Sequence, residues 1–243
     1  MSGMERITCL HYPAPTGPAD ILLVMLPGAG IAAAEFAANG MVAAVHERGL
    51  AVDIIVAQPD LDLYLEDGVT AALHRAVVAP ALARGCRCIW LLGISLGGMG
   101  ALLYASANQA PVAGICLLAP FLGTKGTAAE LVRGGGLAAW SPVNSAATDL
   151  ERRMLIWLQE QLTGRQGAGH ESAGQEGGPA IYLGYAAQDR FVSAHKMLGA
   201  ALPPARVAMV QGGHDWASWT ALWHSLLARA PFAAMLDVAG GGR

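Results

Sequence analysis

Short, continuous runs of apolar residues recur along the chain and suggest its secondary structure. Strands covered on both faces, as in a parallel sheet, carry such runs rather than an alternation of apolar and polar residues. The runs predict six buried strands: Ile21–Leu26, Val52–Ala57, Cys88–Ile94, Val112–Ala119, Ile181–Tyr185 and Arg206–Val210. A weaker run, Arg6–Tyr12, predicts an edge strand.

Helical stretches lie between these strands, and glycine or proline follows most of them, as is usual at helix C-termini. The predicted helices are Ala32–Arg48, Gly68–Arg84, Leu96–Ala107, Ser193–Leu202 and Trp216–Arg229. Pro80 is expected to bend or interrupt the second of them. Alternating strands and helices predict an α/β fold with a mostly parallel central sheet and helices on both faces.

The alternation is interrupted once, between the strand ending near Ala119 and the strand starting near Ile181. Within this interval, Asp149 is predicted to cap the N-terminus of a helix that carries an apolar stripe. Gly164–Gly178 is a glycine-rich, low-complexity segment that is typical of a flexible loop.

We predict a single domain over residues 1–243, with residues 121–178 as an insertion that is a candidate lid over an active site. A loop without a function is the alternative. The sequence leaves open whether the apolar residues of the insertion helix pack on that site or on a second chain, so an oligomer is possible but unsupported.

Composition excludes several classes of protein. The 243 residues are 54% hydrophobic and 14% charged, whereas average soluble proteins carry about 25% charged residues. The apolar runs are nevertheless much shorter than the roughly 18 residues of a membrane span, so no span is predicted. A net charge of −3 and the lack of a basic run argue against a nucleic-acid partner.

The four cysteines and the first residues bear on location and metal binding. The cysteines show no metal-ligand spacing, and no signal-peptide pattern opens the sequence. We therefore expect no metal site and a reduced, cytoplasmic setting.

One predicted strand runs directly into a Gly-x-Ser-x-Gly motif, Gly93-Ile94-Ser95-Leu96-Gly97, and a helix of small residues follows. In this context the serine is held in a strained turn with its hydroxyl pointing away from the sheet. The flanking glycines are needed because a Cβ would clash across the turn. Ser95 is therefore the candidate nucleophile, and a structural serine is the alternative.

A serine hydroxyl needs a base, and the base needs an acid that orients it. Asp189 follows the fifth predicted buried strand and His214 follows the sixth, at the strand ends where open α/β sheets bind ligands. Two alternatives stay open: Asp189 is also suited to cap the next helix, and Asp215 is a rival acid because it adjoins His214. A surface position is expected for His195.

The motif, the late aspartate and the late histidine occur in the order found in α/β-hydrolases, and the chain resembles that family over nearly its whole length. The run Gly212-Gly213-His214-Asp215-Trp216 resembles small serine esterases of the superfamily. The resemblance implies that Ser95 is the nucleophile and that His214 is the general base and then the general acid. It implies that Asp189 orients His214.

The resemblance also implies an oxyanion hole made of two main-chain N–H groups. One is that of Leu96, the residue after the nucleophile. The second comes from the loop after the first buried strand, where many family members carry His-Gly and this chain has Pro27-Gly28. We assign it to Ala29, with Gly30 as the alternative.

The residues next to these motifs are small, apolar or aromatic, which suits an apolar pocket. The candidate substrate-binding residues are Gly30, Met99, Phe121 and Trp216. We predict hydrolysis of a carboxylic ester or thioester of a small, largely neutral substrate through an acyl-enzyme, with no cofactor. An acyltransferase or peptidase with the same triad, and a non-catalytic ligand-binding module, are the alternatives.

Overall fold

The structure is a computed structural model, and it describes residues 6–15, 17, 19–107, 110, 112–141, 149–164 and 178–229. The described residues form one seven-stranded sheet. Its strands are β1 (Ile7–Tyr12), β2 (Ile21–Leu26), β3 (Val52–Pro59), β4 (Cys88–Ile94), β5 (Gly114–Leu118), β6 (Ala180–Ala186) and β7 (Val207–Val210). In space their order is β1-β3-β2-β4-β5-β6-β7. Only the pairing of β1 with β3 is antiparallel in this sheet of described residues, so the predicted, mostly parallel sheet is confirmed.

Helices connect the strands. They are α1 (Ala34–Ala38), α2 (Met41–His46), α3 (Leu61–Leu65), α4 (Val69–Leu73), α5 (Ala79–Ala83), α6 (Leu96–Ser106), α7 (Lys125–Arg133), α8 (Leu150–Thr163), α9 (Val192–Ala200) and α10 (Trp216–Leu227). Within the part of the chain that the structure describes, no helix has the length and apolarity to cross a membrane.

Both faces of the sheet are buried along its central strands, and β2 shows why its sequence is apolar throughout. Successive side chains of a strand point to opposite faces. Leu22 and Val24 belong to a core shared with α4, α5, α6, α8 and α9, whereas Leu23 and Met25 pack with α1, α2 and α10. These four side chains are at most 2% exposed. The high apolar content of the chain therefore reflects a core on each side of the sheet. The strand β7, predicted as a buried strand, is instead a partly exposed edge strand, in which Met209 is 55% exposed.

Two of the predicted helices are interrupted. The stretch 32–48 divides at Gly40, whose φ of +77° separates α1 from α2. In the stretch 68–84, a π-helical turn, His74–Val78, joins α4 to α5 directly before Pro80. Proline has no N–H to donate and crowds the carbonyl four residues earlier, and a wider turn accommodates both effects. The interruption expected at Pro80 is confirmed.

The segment between β5 and β6 contains α7 and α8. Asp149 caps α8 as predicted, because its side chain accepts a hydrogen bond from a main-chain N–H of the first turn. Met154, Leu155 and Leu158 are buried in the core that includes α6, so α8 belongs to the helical layer on that face. Residues 165–177, which make up most of the predicted flexible loop, lie outside the described residues, and a lid function stays a prediction.

The helices α3 and α7 are not among the predicted elements. Leu61, Leu63 and Leu65 alternate with other residues, a pattern typical of a strand. The segment instead forms a short helix after β3, in which Leu63 and Tyr64 are buried. The burial of Leu63 and Tyr64 against the helical layer therefore outweighs the preference of the alternating pattern for a strand.

Candidate active site

Ser95 lies at the turn between β4 and α6, with φ of +52° and ψ of −116°. A residue with a Cβ adopts such a conformation only where its surroundings demand it. A Cβ built on Gly97 would lie 2.1 Å from the carbonyl oxygen of Leu26, and one built on Gly93 would lie 2.3 Å from the carbonyl oxygen of Gly97. Strand, turn and helix thus approach so closely that only glycine fits beside Ser95, as the motif predicts.

Main-chain hydrogen bonds hold this turn to the end of β5. The N–H of Ser95 donates to the carbonyl of Leu118 at 3.1 Å, and the N–H of Phe121 donates to the carbonyl of Ser95 at 2.8 Å. The main chain of Ser95 is therefore fixed on both sides, and its side chain remains partly exposed.

The side chains of Ser95, His214 and Asp189 form a hydrogen-bonded chain. His214 Nε2 lies 3.0 Å from Ser95 Oγ, and His214 Nδ1 lies 2.7 Å from Asp189 Oδ2. Asp189 follows β6 and His214 follows β7. The parallel strands thus bring all three residues to one edge of the sheet, although 119 positions separate Ser95 from His214.

Asp189 is ionised in this arrangement. Burial raises the pKa of its carboxyl group, but hydrogen bonds from His214 and from the main-chain N–H of Phe191 (2.7 Å to Oδ1) outweigh burial, so the pKa lies below its ordinary value. An ionised carboxylate only accepts hydrogen bonds, so Nδ1 of His214 carries the proton. In the neutral imidazole, Nε2 then accepts a hydrogen bond from the hydroxyl of Ser95.

The structure distinguishes the two candidate aspartates. Asp215 caps α10, because its Oδ1 accepts a hydrogen bond from the main-chain N–H of Ser218 at 2.9 Å. Asp189 uses one carboxylate oxygen for the local turn, through Phe191, and the other for His214. Asp189 therefore faces His214 and stabilises the turn before α9. The alternative that it caps α9 is wrong, because this helix begins after Phe191 and has no side-chain cap. Asp215 has a different role, as the cap of α10.

Aromatic rings hold the imidazole of His214. Phe191 and Trp219 meet it edge-on, with ring centroids 5.3 Å and 5.1 Å away. The side chain of His214 is only 11% exposed as a result. Its orientation is thus set by apolar packing as well as by Asp189.

The loop after β2 lies against Ser95. A Cβ built on Gly28 would be 3.1 Å from the Cβ of Ser95. The N–H of Ile31 donates to the carbonyl of Gly28 at 3.2 Å, which closes a turn in which Gly30 has φ of +75°. Ala29 therefore comes directly after the residue that meets Ser95, and Gly30 lies one position further along the turn.

Glu35 links this loop to the segment that carries His214. Its Oε1 accepts a hydrogen bond from the N–H of Ala32 at 2.8 Å, and its Oε2 accepts one from Nε1 of Trp216 at 3.0 Å. Trp216, a predicted substrate-binding residue, thus helps to connect the loop after β2 to the segment that carries His214, through its hydrogen bond to Glu35. Glu35 is not recognisable from the sequence, because 181 positions separate it from Trp216 and no local pattern marks the pair.

His195 is not at the surface, and the expectation from the sequence is wrong. It is 0% exposed and lies on α9, with Nε2 2.9 Å from the carbonyl oxygen of Pro120. A polar side chain at the start of a helix suggests exposure, but α9 packs on β6 and turns His195 inward against Tyr185.

A cleft of about 630 Å³ lies at the start of α6, next to Ser95 in sequence, although Ser95 and His214 are not among the described residues that line it. Leu96 lines it, together with two of the predicted substrate-binding residues, Met99 and Phe121. The other two predicted residues, Gly30 and Trp216, are not among the described residues that line this cleft.

Two apolar side chains that were not predicted from the sequence also line the cleft. Leu61 and Leu65 of α3 line it and are 55% and 76% exposed. Their four-residue spacing places both leucines on the same side of the helix. In the sequence these leucines alternate with other residues over only five positions, which gave no indication of this arrangement.

The charged residues that line the cleft have partners within the protein, which are neutral groups for Glu151 and carboxylates for Arg152. Glu151 accepts hydrogen bonds from the main-chain N–H and the hydroxyl of Thr124 at 3.0 Å and 3.3 Å. Arg152 contacts Asp149 and lies 2.6 Å from an oxygen of Glu130. The cationic group of Arg152 is therefore neutralised by carboxylates of the protein itself.

Comparison with solved structures gives matches over almost the full chain. Est1E from Butyrivibrio proteoclasticus matches with a TM-score of 0.60 and 15% identity, over 96% of this chain and 95% of that chain. FphF, a fluorophosphonate-binding serine hydrolase of Staphylococcus aureus, matches with a TM-score of 0.55 and 14% identity, over 95% and 98%. MGS-MChE2, an alpha/beta hydrolase enzyme from a lagoon-sediment metagenome, matches with a TM-score of 0.50 and 17% identity, over 92% and 95%.

The chain has the α/β-hydrolase fold. Neither a model of a known protein family nor a curated protein matches its sequence. At identities this low, structural likeness establishes a shared fold, and function is argued from the site.

The close approach of α6 to β2 in this α/β-hydrolase fold predicts that Gly97→Ala is poorly tolerated. The new Cβ would overlap the main chain of Leu26, so the free energy of unfolding should fall by about 2–3 kcal/mol. Gly126 is a matched control, because it is also the second residue of a helix but has its nearest neighbouring atom 3.8 Å away. Gly126→Ala should change stability by at most about 1 kcal/mol. Urea unfolding measures the difference, and equal stabilities of the two variants would contradict the prediction.

The lowered pKa of Asp189 predicts a contribution to stability that depends on pH. A carboxyl group with a lower pKa in the folded than in the unfolded chain stabilises the fold above the unfolded value, about 3.9. That contribution is lost as the pH falls through the folded value. The free energy of unfolding of the wild type, relative to Asp189→Asn, should therefore decrease as the pH falls from about 5 to 3. Urea unfolding at several pH values measures this, and a difference that stays constant would disprove it.

Proposed function

We propose that this protein is a serine hydrolase that cleaves a carboxylic ester or thioester of a small, largely neutral substrate through an acyl-enzyme. The observation that carries the proposal is the hydrogen-bonded chain of Ser95, His214 and Asp189. Within it, the serine proton has a neutral imidazole to move to, and the imidazolium that forms has an ionised carboxylate beside it. An intact chain of this kind favours an enzyme over a non-catalytic binding module.

The steps of the reaction follow from the arrangement. Ser95 Oγ attacks the acyl carbon as Nε2 of His214 takes its proton. Asp189 stabilises the imidazolium, which then gives the proton to the leaving alcohol or thiol. The acyl group remains on Ser95 until a water molecule, deprotonated by His214, attacks it and releases the acid.

We assign the oxyanion hole to the main-chain N–H groups of Leu96 and Ala29. Leu96 opens α6, and the first N–H groups of a helix have no acceptor within the helix. Ala29 is favoured over Gly30 because it adjoins Gly28, the residue that meets Ser95. Each such donor typically contributes about 3–4 kcal/mol to the transition state.

The cleft supports a substrate with an uncharged, apolar group. Met99, Phe121, Leu61 and Leu65 supply apolar surface, and covering it releases about 25 cal/mol per Å². An anionic group finds no free counter-charge in Arg152, which is paired with carboxylates. We therefore infer that an alkyl or aryl part of the ester occupies the cleft.

A fluorophosphonate probe tests the nucleophile. The wild type should be labelled and should hydrolyse p-nitrophenyl butyrate. Ser95→Ala should not be labelled and should lose about 10³-fold or more in kcat. Ser106→Ala is the control, because the hydroxyl of Ser106 bonds a carbonyl within α6 and should leave both readouts unchanged. Labelling of Ser95→Ala at the wild-type rate would disprove the assignment of Ser95 as the nucleophile.

The apolar cleft is tested with p-nitrophenyl esters of increasing acyl length. Leu65→Ser should lower kcat/KM for the octanoate by about 3- to 10-fold, because about 1 kcal/mol of apolar contact is lost. It should leave the acetate unaffected. Val132→Ser is the matched control, since Val132 is 61% exposed on α7 and does not line the cleft. An equal fall in kcat/KM for the acetate and the octanoate, or for Leu65→Ser and Val132→Ser, would contradict the proposal that the apolar part of the ester occupies this cleft.

A further inference from the structure

His195 is a buried, neutral histidine with a single hydrogen bond of known direction. Its Nε2 lies 2.9 Å from the carbonyl oxygen of Pro120, and a carbonyl only accepts, so Nε2 carries the proton. Its Nδ1 is buried and has no hydrogen-bond partner among the described residues. Burial lowers the pKa of His195, in agreement with a neutral ring.

The carbonyl that His195 binds belongs to a peptide group with a second role. The carbonyl of Pro120 and the N–H of Phe121 are the two ends of one planar unit. That N–H donates to the carbonyl of Ser95 at 2.8 Å. A hydrogen bond that fixes the carbonyl end of a rigid plane also fixes the direction of its N–H.

The chain around this peptide is strained. Ala119, just before it, has φ of +46°, which is costly for a residue with a Cβ. Its own N–H donates to the carbonyl of Gly184 at 2.8 Å. Ser95, at the other end of the contact, has φ of +52°. Two strained residues are thus joined through the peptide that His195 holds.

His195 also lies on the helix that follows Asp189. The ring of Phe191, at the start of that helix, has its centroid 6.4 Å from that of His195 and 5.3 Å from that of His214. The segment that supplies the acid of the triad therefore also reaches the turn that supplies the nucleophile.

We propose that His195 is a positioning residue for Ser95. By donating to the carbonyl of Pro120, it orients the N–H of Phe121 and thereby holds Ser95 in the conformation that points Oγ at His214. A peptide whose carbonyl accepts a hydrogen bond is also a better donor at its N–H. The inference rests on the proposed function as a serine hydrolase.

Two substitutions separate the hydrogen bond from the packing. His195→Phe keeps a ring in the cavity and removes the donor. His195→Gln keeps an N–H about as far from the main chain as Nε2 of histidine. Trp223→Phe is the matched control, because Trp223 is also 0% exposed and donates a ring N–H to a main-chain carbonyl, that of Met41, at 3.0 Å.

In His195→Phe, kcat should fall by about 10- to 100-fold, with KM within about twofold, because a small displacement of the nucleophile affects the reaction more than binding. The rate of fluorophosphonate labelling should fall by the same factor. His195→Gln should recover most of both losses. Trp223→Phe should lower the melting temperature but keep kcat.

Two results would overturn the proposal. In one, His195→Phe keeps the wild-type kcat and only melts earlier, as Trp223→Phe does. In the other, His195→Gln is as slow as His195→Phe, which would show that the donor is not what matters.

Amide exchange of Phe121, followed by NMR, tests the same inference without catalysis. Its N–H should exchange about 10-fold faster in His195→Phe and return toward the wild-type rate in His195→Gln. Unchanged exchange would refute the positioning role. If the wild type neither hydrolyses esters nor reacts with the probe, the serine-hydrolase function fails, whereas the exchange rates still decide whether His195 holds this peptide.

Discussion

Ser95 occupies a turn with φ of +52°, and the strain of such a turn, about 1–3 kcal/mol, must be balanced by the structure around it. The balance comes from close packing. Helix α6 lies so near β2 that a single methyl group on Gly97 would overlap the carbonyl of Leu26. The same closeness brings Gly28 against Ser95, at the start of α6. The position of the proposed nucleophile and that of the proposed oxyanion donors thus depend on one packing contact.

The second element of the site is electrostatic. Asp189 is almost fully buried, yet hydrogen bonds from His214 and Phe191 keep it ionised. A buried carboxylate without such partners would take up a proton. Its charge determines which nitrogen of His214 carries a proton, and therefore which nitrogen faces Ser95. Apolar contact with Phe191 and Trp219 limits the access of water and holds the ring in place.

Features that depend on neighbouring residues are predictable from the sequence. The strand, turn and helix around Ser95 are contiguous, so their pattern identifies them, and the apolar runs gave the strand bounds of β2 and β4 without error. Features that depend on contacts between distant segments are not predictable in this way. His195 was expected at the surface because its neighbours in sequence do not reveal that α9 packs on the sheet. No sequence pattern marks Glu35, because its hydrogen-bond partner Trp216 lies 181 positions away in the sequence.

By itself, the sequence determined the class of fold, the order of its elements and the identities of the nucleophile, base and acid candidates. These features follow from runs of apolar residues and from short motifs, which depend on neighbouring positions alone. Only the tertiary structure decided that Asp189 rather than Asp215 faces His214, that Leu61 and Leu65 border the cleft, and that Arg152 is neutralised within it. Each of these depends on which side of a helix or loop packs inward. That orientation is determined by the burial of apolar surface over the whole fold, not by the neighbouring residues.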